Sequence, residues 1–225
     1  MKSVLTISED VSLLVRPASA NKPAVKAFAS RGLNIILADP SGDFEALTKA
    51  LFGYDTLISA IDFGSQLVQI ALVDAAAKAG IKRIVPCGFI TVCCPSGVMK
   101  LREDKEVVYS RIWYHRLPYT IVDVGYWHQL SFYSVPSGKF DYAQLSPLRQ
   151  VVGTGDVKTL LTDKRDIGRF VARIIQDPRT LNHKVFTWSD EISQNEILRL
   201  IEAKTGEKVE SKPVLVAQFH IQCIR

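Results

Sequence analysis

The stretch VSLLVRPASANKPAVKAFASRGLNIILADPSGDFEALTKALFGYDTLISAI (residues 11–61) decides the fold. Its first five residues are a short apolar run rich in β-formers, with no polar alternation. NKPAVKAFASRG follows, and Ala24, Val25, Phe28 and Ala29 fall on one helical face before Gly32 stops the helix. NIILA (34–38) predicts a second strand, ended by Asp39 and Pro40. DFEALTKALFG predicts a helix with Asp43 near its start and Gly53 at its end. DTLISAI (55–61) predicts a third strand.

The same rhythm continues outward. SQLVQIALVDAAAKAG predicts a long helix closed by Gly80, and KRIVPCG (82–88) a fourth strand. A loop with Gly88, Pro95 and Gly97 leads to the charged helix REDKEVVYSRIWYHR and the strand YTIVDVG (119–125). Strands separated by helices of this length imply parallel pairing through right-handed crossovers. Apolar strands without alternation fit a sheet covered on both faces. The predicted fold is α/β: a doubly wound, mostly parallel, Rossmann-like sheet with a smaller C-terminal lobe.

After Gly125 the pattern changes. YWHQLSFYSVPSGKFDYAQLSP reads as loops and short pieces, and RQVVGTG as a strand and turn. DIGRFVARIIQDP predicts a helix ended by Pro178, and KVFTW a strand. SQNEILRLIEAKTG predicts a helix with Ser193 as N-cap and Glu196 completing a capping box. The tail from Lys208 shows no pattern. The expected organisation is a Rossmann-like nucleotide-binding domain over residues 1–125 and a smaller substrate-binding lobe over 126–225.

Bulk properties narrow the partners. The 225 residues are 47% hydrophobic and 23% charged, ordinary for a globular chain. The net charge is +5 and the pI about 9.0, which favours an anionic ligand. The basic residues are scattered among the acidic ones, so direct binding of nucleic acid is not expected. Cys87, Cys93, Cys94 and Cys223 match no zinc or CxxC spacing. They read as reduced thiols of a cytoplasmic protein without a metal site. No apolar stretch approaches the roughly 20 residues that cross a bilayer, and the N-terminal apolar run is too short for a signal peptide.

Ligands of such sheets bind at the carboxyl ends of the strands. Arg16, Ser19 and Lys22 follow the first strand. A guanidinium there can grip a phosphate through two hydrogen bonds, and a basic residue favours a ribose 2′-phosphate, hence NADPH over NADH. A solvated loop arginine is the alternative. Residues 60–64 and Gln66 follow the third strand, where small residues admit a dinucleotide; an ordinary strand-to-helix loop has equal standing. Lys105 lies within REDKE, either on a solvated charged face or turned into a cleft. Burial in a cleft lowers a lysine pKa and allows proton exchange near neutrality. Tyr126 and His128, in GYWHQL, stand at the mouth of the sheet as substrate contacts. There His128 is either a proton donor or part of a packed aromatic lining. No Tyr precedes a Lys by four residues, and no GxxGxxG or GxGxxG occurs. GTGDVK (153–158) does not follow the first strand and fails the context test for a phosphate loop.

Four stretches together carry a family resemblance: residues 15–61, QLVQIALVDAAAKAGIKRIVPCGF, GVMKLREDKEVVYSRIWYHRLPYTIVDVG and TDKRDIGRFVARIIQDP. Over residues 11–207 the chain resembles the NmrA-like, isoflavone-reductase-type branch of atypical short-chain dehydrogenases, and most of all its fungal members of secondary-metabolite pathways. The resemblance implies NADPH-dependent reduction of a small aromatic, enone or ketone-like substrate, with a homodimer left open. It implies Arg16 and Lys22 at the adenosine phosphate and Gln66 towards the nicotinamide. Lys105, placed before Pro118-Tyr119-Thr120, matches the family's general acid or base. Where plant members have Ser-Glu-Phe-Gly, this chain has Cys87-Gly88-Phe89, so contacts of that Ser and Glu do not transfer.

The family also opens with a strand and a GxxGxxG turn that seats pyrophosphate at a helix N-terminus. Here MKSVLTISED stands in that place. Two expectations follow. Residues 3–7 form a strand that fills the vacant position antiparallel to residues 11–15, or the sequence is a truncated product. The competing functional readings are an NmrA-like regulator that senses dinucleotide, with residues 126–142 as an interaction surface, and an inactive remnant.

Overall fold

The structure, a computed structural model, describes residues 11–146 and 150–215. The strand expected over residues 3–7 lies outside the described residues. In chain order the first elements are β1 (Ser12–Val15), α1 (Pro23–Ala29), β2 (Asn34–Leu37), α2 (Phe44–Leu51), β3 (Thr56–Ile58), α3 (Gln69–Ala79), β4 (Arg83–Val85), α4 (Lys100–Tyr114) and β5 (Thr120–Asp123). There follow β6 (Tyr126–Trp127), α5 (His128–Ser131), β7 (Gln150–Val152), β8 (Lys158–Thr162), α6 (Lys164–Ile174), β9 (His183–Phe186), β10 (Asp190–Ser193), α7 (Gln194–Thr205) and β11 (Lys212–Val214).

The chain divides into two compact units. The first holds the described residues up to Gly88, then Pro95–Val122 and Val171–Val185; the second holds Phe89–Cys94, Asp123–Phe170 and the described residues from Phe186 on. The chain crosses between the units at 88/89 and 94/95, where Phe89–Cys94 joins the second, and again at 122/123. What the sequence did not announce is the return of residues 171–185 to the first unit.

In the first unit β1 runs parallel to β2, and β3 parallel to β4. A parallel bridge between Ile84 and Tyr119 sets the start of β5 beside β4, and β5 also pairs with β9. Local chemistry explains the helix limits. Pro23 occupies the first turn of α1, where its missing N–H costs nothing. The Asp43 carboxylate caps α2 by accepting from Glu45 N at 2.8 Å. Gly80, at φ 76°, closes α3. The apolar sides of these helices and strands meet in one core that includes Leu47, Leu51, Leu72, Val73, Val108, Tyr109, Ile112 and Ile121.

One helix differs from expectation. The stretch from Ser65 is not continuous α-helix: Phe63–Val68 is a 3-10 turn with Ser65 at φ −114°, ψ 21°, and α3 begins only at Gln69. The Asp62 side chain accepts from Gly64 N at 3.0 Å and tightens the entry. Gln66 therefore sits on the turn before the helix.

In the second unit β6 runs parallel to β8 and β8 antiparallel to β10, while β11 runs parallel to β7. The capping box of α7 is present: Glu196 N donates to Ser193 Oγ at 3.2 Å and Ser193 N donates to the Glu196 carboxylate at 2.8 Å. Tyr133, Val135, Val151, Leu161, Ile197 and Ile201 form the core. Tyr133 Oη donates to the Gln150 carbonyl at 3.0 Å and accepts from Gln194 Nε2 at 2.9 Å. Desolvation pushes its pKa up to about 12, although the bond from Gln194 acts the other way.

Candidate active site

Two groups of expected residues assemble in the first unit. Arg16, Ser19 and Lys22 share one turn system between β1 and α1. Ser19 N donates to Arg16 O at 2.8 Å and Lys22 N to Ser19 O at 3.1 Å, so the chain coils back at the carboxyl end of the strand. Arg16 and Lys22 are exposed, Ser19 is half-buried, and among the described residues neither cation has an ion pair. A planar guanidinium and an ammonium with no carboxylate partner among the described residues, next to a hydroxyl, are a donor set that fits a phosphate monoester such as that of NADPH.

The second group surrounds Lys105. The neighbouring charges of REDKE are paired along α4: Arg102, itself buried, donates from Nε to Glu106 at 2.8 Å, Lys100 pairs with Asp104, and Glu103 accepts from Gly97 N at 2.8 Å. Lys105 lies on the buried face of α4 with Arg102, Val108, Tyr109 and Ile112, at helical spacing, and is only 1% exposed. Its ammonium donates to Gln66 Oε1 at 2.8 Å and to the Cys87 carbonyl, both uncharged. Of the two readings of the REDKE lysine, the structure supports the inward one.

Gln66 is also buried, and both ends of its amide are used. Nε2 donates to the Asp62 carbonyl at 2.7 Å, while Oε1 accepts from Lys105 and, at 3.1 Å, from Gln69 Nε2. Cys87 follows β4 at its carboxyl end. Its N–H donates to Gln69 Oε1 at 2.7 Å and its thiol donates to the Ile61 carbonyl at 3.3 Å. The adjoining Gly88 is held so close to β5 that a Cβ there would lie 2.7 Å from the Val122 carbonyl oxygen. Gln69 is the member of this network that sequence reasoning missed. The signal was available: a second glutamine, one turn after Gln66, in the otherwise apolar run LVQIALV.

Tyr126 and His128 belong to the second unit. Tyr126 lies on β6 and is 39% exposed, with partial desolvation raising its phenol pKa. His128 opens α5, and its Nε2 lies 2.8 Å from Asp190 Oδ2. An ionised carboxylate can only accept, so Nε2 carries the proton in this pair. The ring packs beside Phe132, centroids 6.2 Å apart, and Phe132 stacks on Phe140 at 6.1 Å. His128 thus has an aromatic neighbour in Phe132 and a polar one in Asp190. Among the described residues no cluster of His, Cys, Asp or Glu could hold a metal ion, and no helix is long and apolar enough to cross a membrane.

A Rossmann-like α/β fold with a buried lysine beneath the carboxyl ends of its strands defines the class, and the sequence match is direct: the chain belongs to the NmrA-like family, which it matches over residues 2–221. It is 41% identical, over 88% of its own length and 61% of the other's, to the asnovolin J 5′,6′-dehydrogenase of Aspergillus novofumigatus. It is 30% identical to a phenylcoumaran benzylic ether reductase of Pyrus communis, over 88% of this chain and 67% of that one. The chain thus spans about three-fifths of the length of its fungal relative. Its fold is similar to that of the leucoanthocyanidin reductase–NADPH binary complex from Vitis vinifera, with a TM-score of 0.80 at 25% identity over 95% of this chain and 72% of that one.

Proposed function

We propose that the chain is an NADPH-dependent oxidoreductase of the isoflavone-reductase type, acting on a small metabolite of fungal secondary metabolism. The observation that carries this reading is the burial of Lys105 against Gln66 Oε1 and the Cys87 carbonyl. A lysine taken out of water and held by two uncharged acceptors has the placement a proton donor or acceptor needs, with its geometry set before a ligand arrives. The named relatives, a dehydrogenase and a benzylic ether reductase, support the same chemistry. So does the NADPH of the leucoanthocyanidin reductase complex.

The cofactor, when bound, supplies or receives the hydride. Arg16 and Lys22 hold its phosphate, with Ser19 beside them, and Gln66 keeps Lys105 in place near the nicotinamide end. Lys105 gives or takes the proton that balances hydride transfer. Tyr126 and His128 contact the substrate. A cytoplasmic setting belongs to the same reading, since Cys87 and Cys94 are free thiols.

Calorimetry of the chain with NADPH, NADP⁺ and NADH tests the nucleotide half. NADPH should bind, and Arg16→Ala should weaken it about tenfold, as loss of an exposed charge-assisted phosphate contact predicts, with NADH little changed. Oxidation of NADPH with enone or benzylic ether substrates tests the chemical half. Equal affinity for NADPH and NADP⁺ with no turnover on any substrate would turn the assignment towards a dinucleotide sensor. Absence of binding would leave a remnant.

A further inference from the structure

We propose that Gln69 is the positioning residue of the Lys105 centre: its single amide fixes two acceptors of the Lys105 ammonium, Gln66 Oε1 and the Cys87 carbonyl. The inference rests on the reading of Lys105 as the proton-handling group, but its geometry stands apart from any cofactor.

Gln69 is the first residue of α3 and is 2% exposed. Its Oε1 accepts from Cys87 N at 2.7 Å, which pins the residue whose carbonyl receives Lys105. Its Nε2 donates to Gln66 Oε1 at 3.1 Å and to the Gln66 carbonyl at 3.3 Å, which pins the other acceptor by side chain and by backbone. The orientation of this amide is decided by its partners. Turned over, Nε2 would face the Cys87 N–H and Oε1 would face two oxygens, leaving buried groups unsatisfied on both sides. Gln66 Oε1 in turn has its two lone pairs occupied by Gln69 Nε2 and Lys105 Nζ, so the direction of one bond sets the direction of the other.

Lys105 alone has four side-chain torsions before its ammonium. Two acceptors held 21 residues apart in sequence, Gln66 and Cys87, restrict it to one arrangement only if they themselves do not move. Gln66 is carried on a 3-10 turn and Cys87 on the loop after β4, so neither acceptor sits on a regular helix or strand. Gln69, on the first turn of a regular helix, is the common anchor between them. Its role is to act through Lys105 without touching a substrate.

The test uses the full chain with lysines labelled at the ε-carbon, in wild type, Gln69→Leu, Gln69→Glu and Lys105→Met. Loss of one signal in Lys105→Met identifies the Lys105 ε-methylene. In Gln69→Leu that signal should move towards the position of solvated lysines and its relaxation should report increased motion, while the thermal transition stays cooperative. Turnover number should fall at least tenfold, with the NADPH dissociation constant changed less than twofold. Gln69→Glu keeps the acceptor for Cys87 N–H but sets an oxygen against Gln66, so it should also move the Lys105 signal, and it serves where the leucine variant fails to fold. A Lys105 signal unmoved in a folded Gln69 variant overturns the inference. Unchanged turnover in Lys105→Met overturns the reading of Lys105 instead, and the spectra still decide whether Gln69 positions it.

Discussion

The ammonium of Lys105, on α4, donates to Gln66 Oε1, on the 3-10 turn ahead of α3, at 2.8 Å across 39 residues of sequence. Lys105→Met keeps a flexible, unbranched side chain in the site. It withdraws one donor each from Gln66 Oε1 and the Cys87 carbonyl, a cost of about 1–3 kcal/mol. The variant should fold, with a lowered melting temperature. Turnover should drop by roughly 10² to 10⁴, the usual range for loss of a general acid or base. A thermal melt beside a single-turnover assay of NADPH oxidation separates the two effects.

Gly125 and Gly80 both have positive φ, 71° and 76°, yet should respond differently to alanine. Around Gly80 nothing lies within 4 Å of an added Cβ, so only the left-handed backbone is penalised, at about 1 kcal/mol. At Gly125 the Cβ would press on the carbonyl oxygen of Leu160 and lie 3.0 Å from its carbonyl carbon. Backbone of β8 cannot rotate away as a side chain can, so Gly125→Ala should cost about 2–4 kcal/mol. Urea unfolding of the two variants should give midpoints in that order.

Asp74 on α3 receives Arg111, on α4, at 2.6 and 3.0 Å and His115, the residue that ends α4, at 2.7 Å. Burial raises the carboxyl pKa, but the bonds from Arg111 and His115 together outweigh it and hold the pKa below its ordinary value. A carboxylate with a depressed folded pKa stabilises the fold above its unfolded pKa, near 3.9, and loses that contribution as pH falls through the folded value. The melting temperature of wild type should therefore decline more between pH 5 and pH 3 than that of Asp74→Asn. Both partners are partly exposed, so the difference should shrink in high salt.

How much could be read beforehand depended on whether neighbours in sequence or neighbours in space decide a residue's state. The alternation of the first half is written in local signals, such as Asp43 ahead of α2, Gly80 after α3 and Ser193 with Glu196 at α7. The structure uses each of them at the expected place. Strand β10 is different. DEIS begins with two acids and has no strand signature; it is extended because it pairs antiparallel with β8, Ile192 opposite Thr159. Likewise the direction of Lys105 could not be chosen from REDKE alone. Five charges in five residues read as a wet face, and only the fold shows that Arg102 and Lys105 are buried while Glu103, Asp104 and Glu106 stay partly exposed. The link between Gln69 and Cys87 joins residues 18 apart, and no local pattern encodes it.

Asp190 offers the last prediction, on the substrate side of the proposal. Its carboxylate accepts from His128 Nε2, which leaves Nδ1 as the ring's other polar atom and fixes the plane in which it can meet a substrate oxygen. The His128 side chain is 19% exposed and that of Asp190 59%, so solvent weakens the pair. Asp190→Ala frees the imidazole to rotate, at a cost of about 1 kcal/mol in substrate positioning, equivalent to roughly fivefold. The Michaelis constant for the substrate should rise by that factor, and NADPH affinity should not move. His128→Ala should show the same pattern more strongly, and adding Asp190→Ala to it should change nothing further, because the aspartate acts only through the ring. Additive losses in the double variant would mean that Asp190 contacts the substrate by itself.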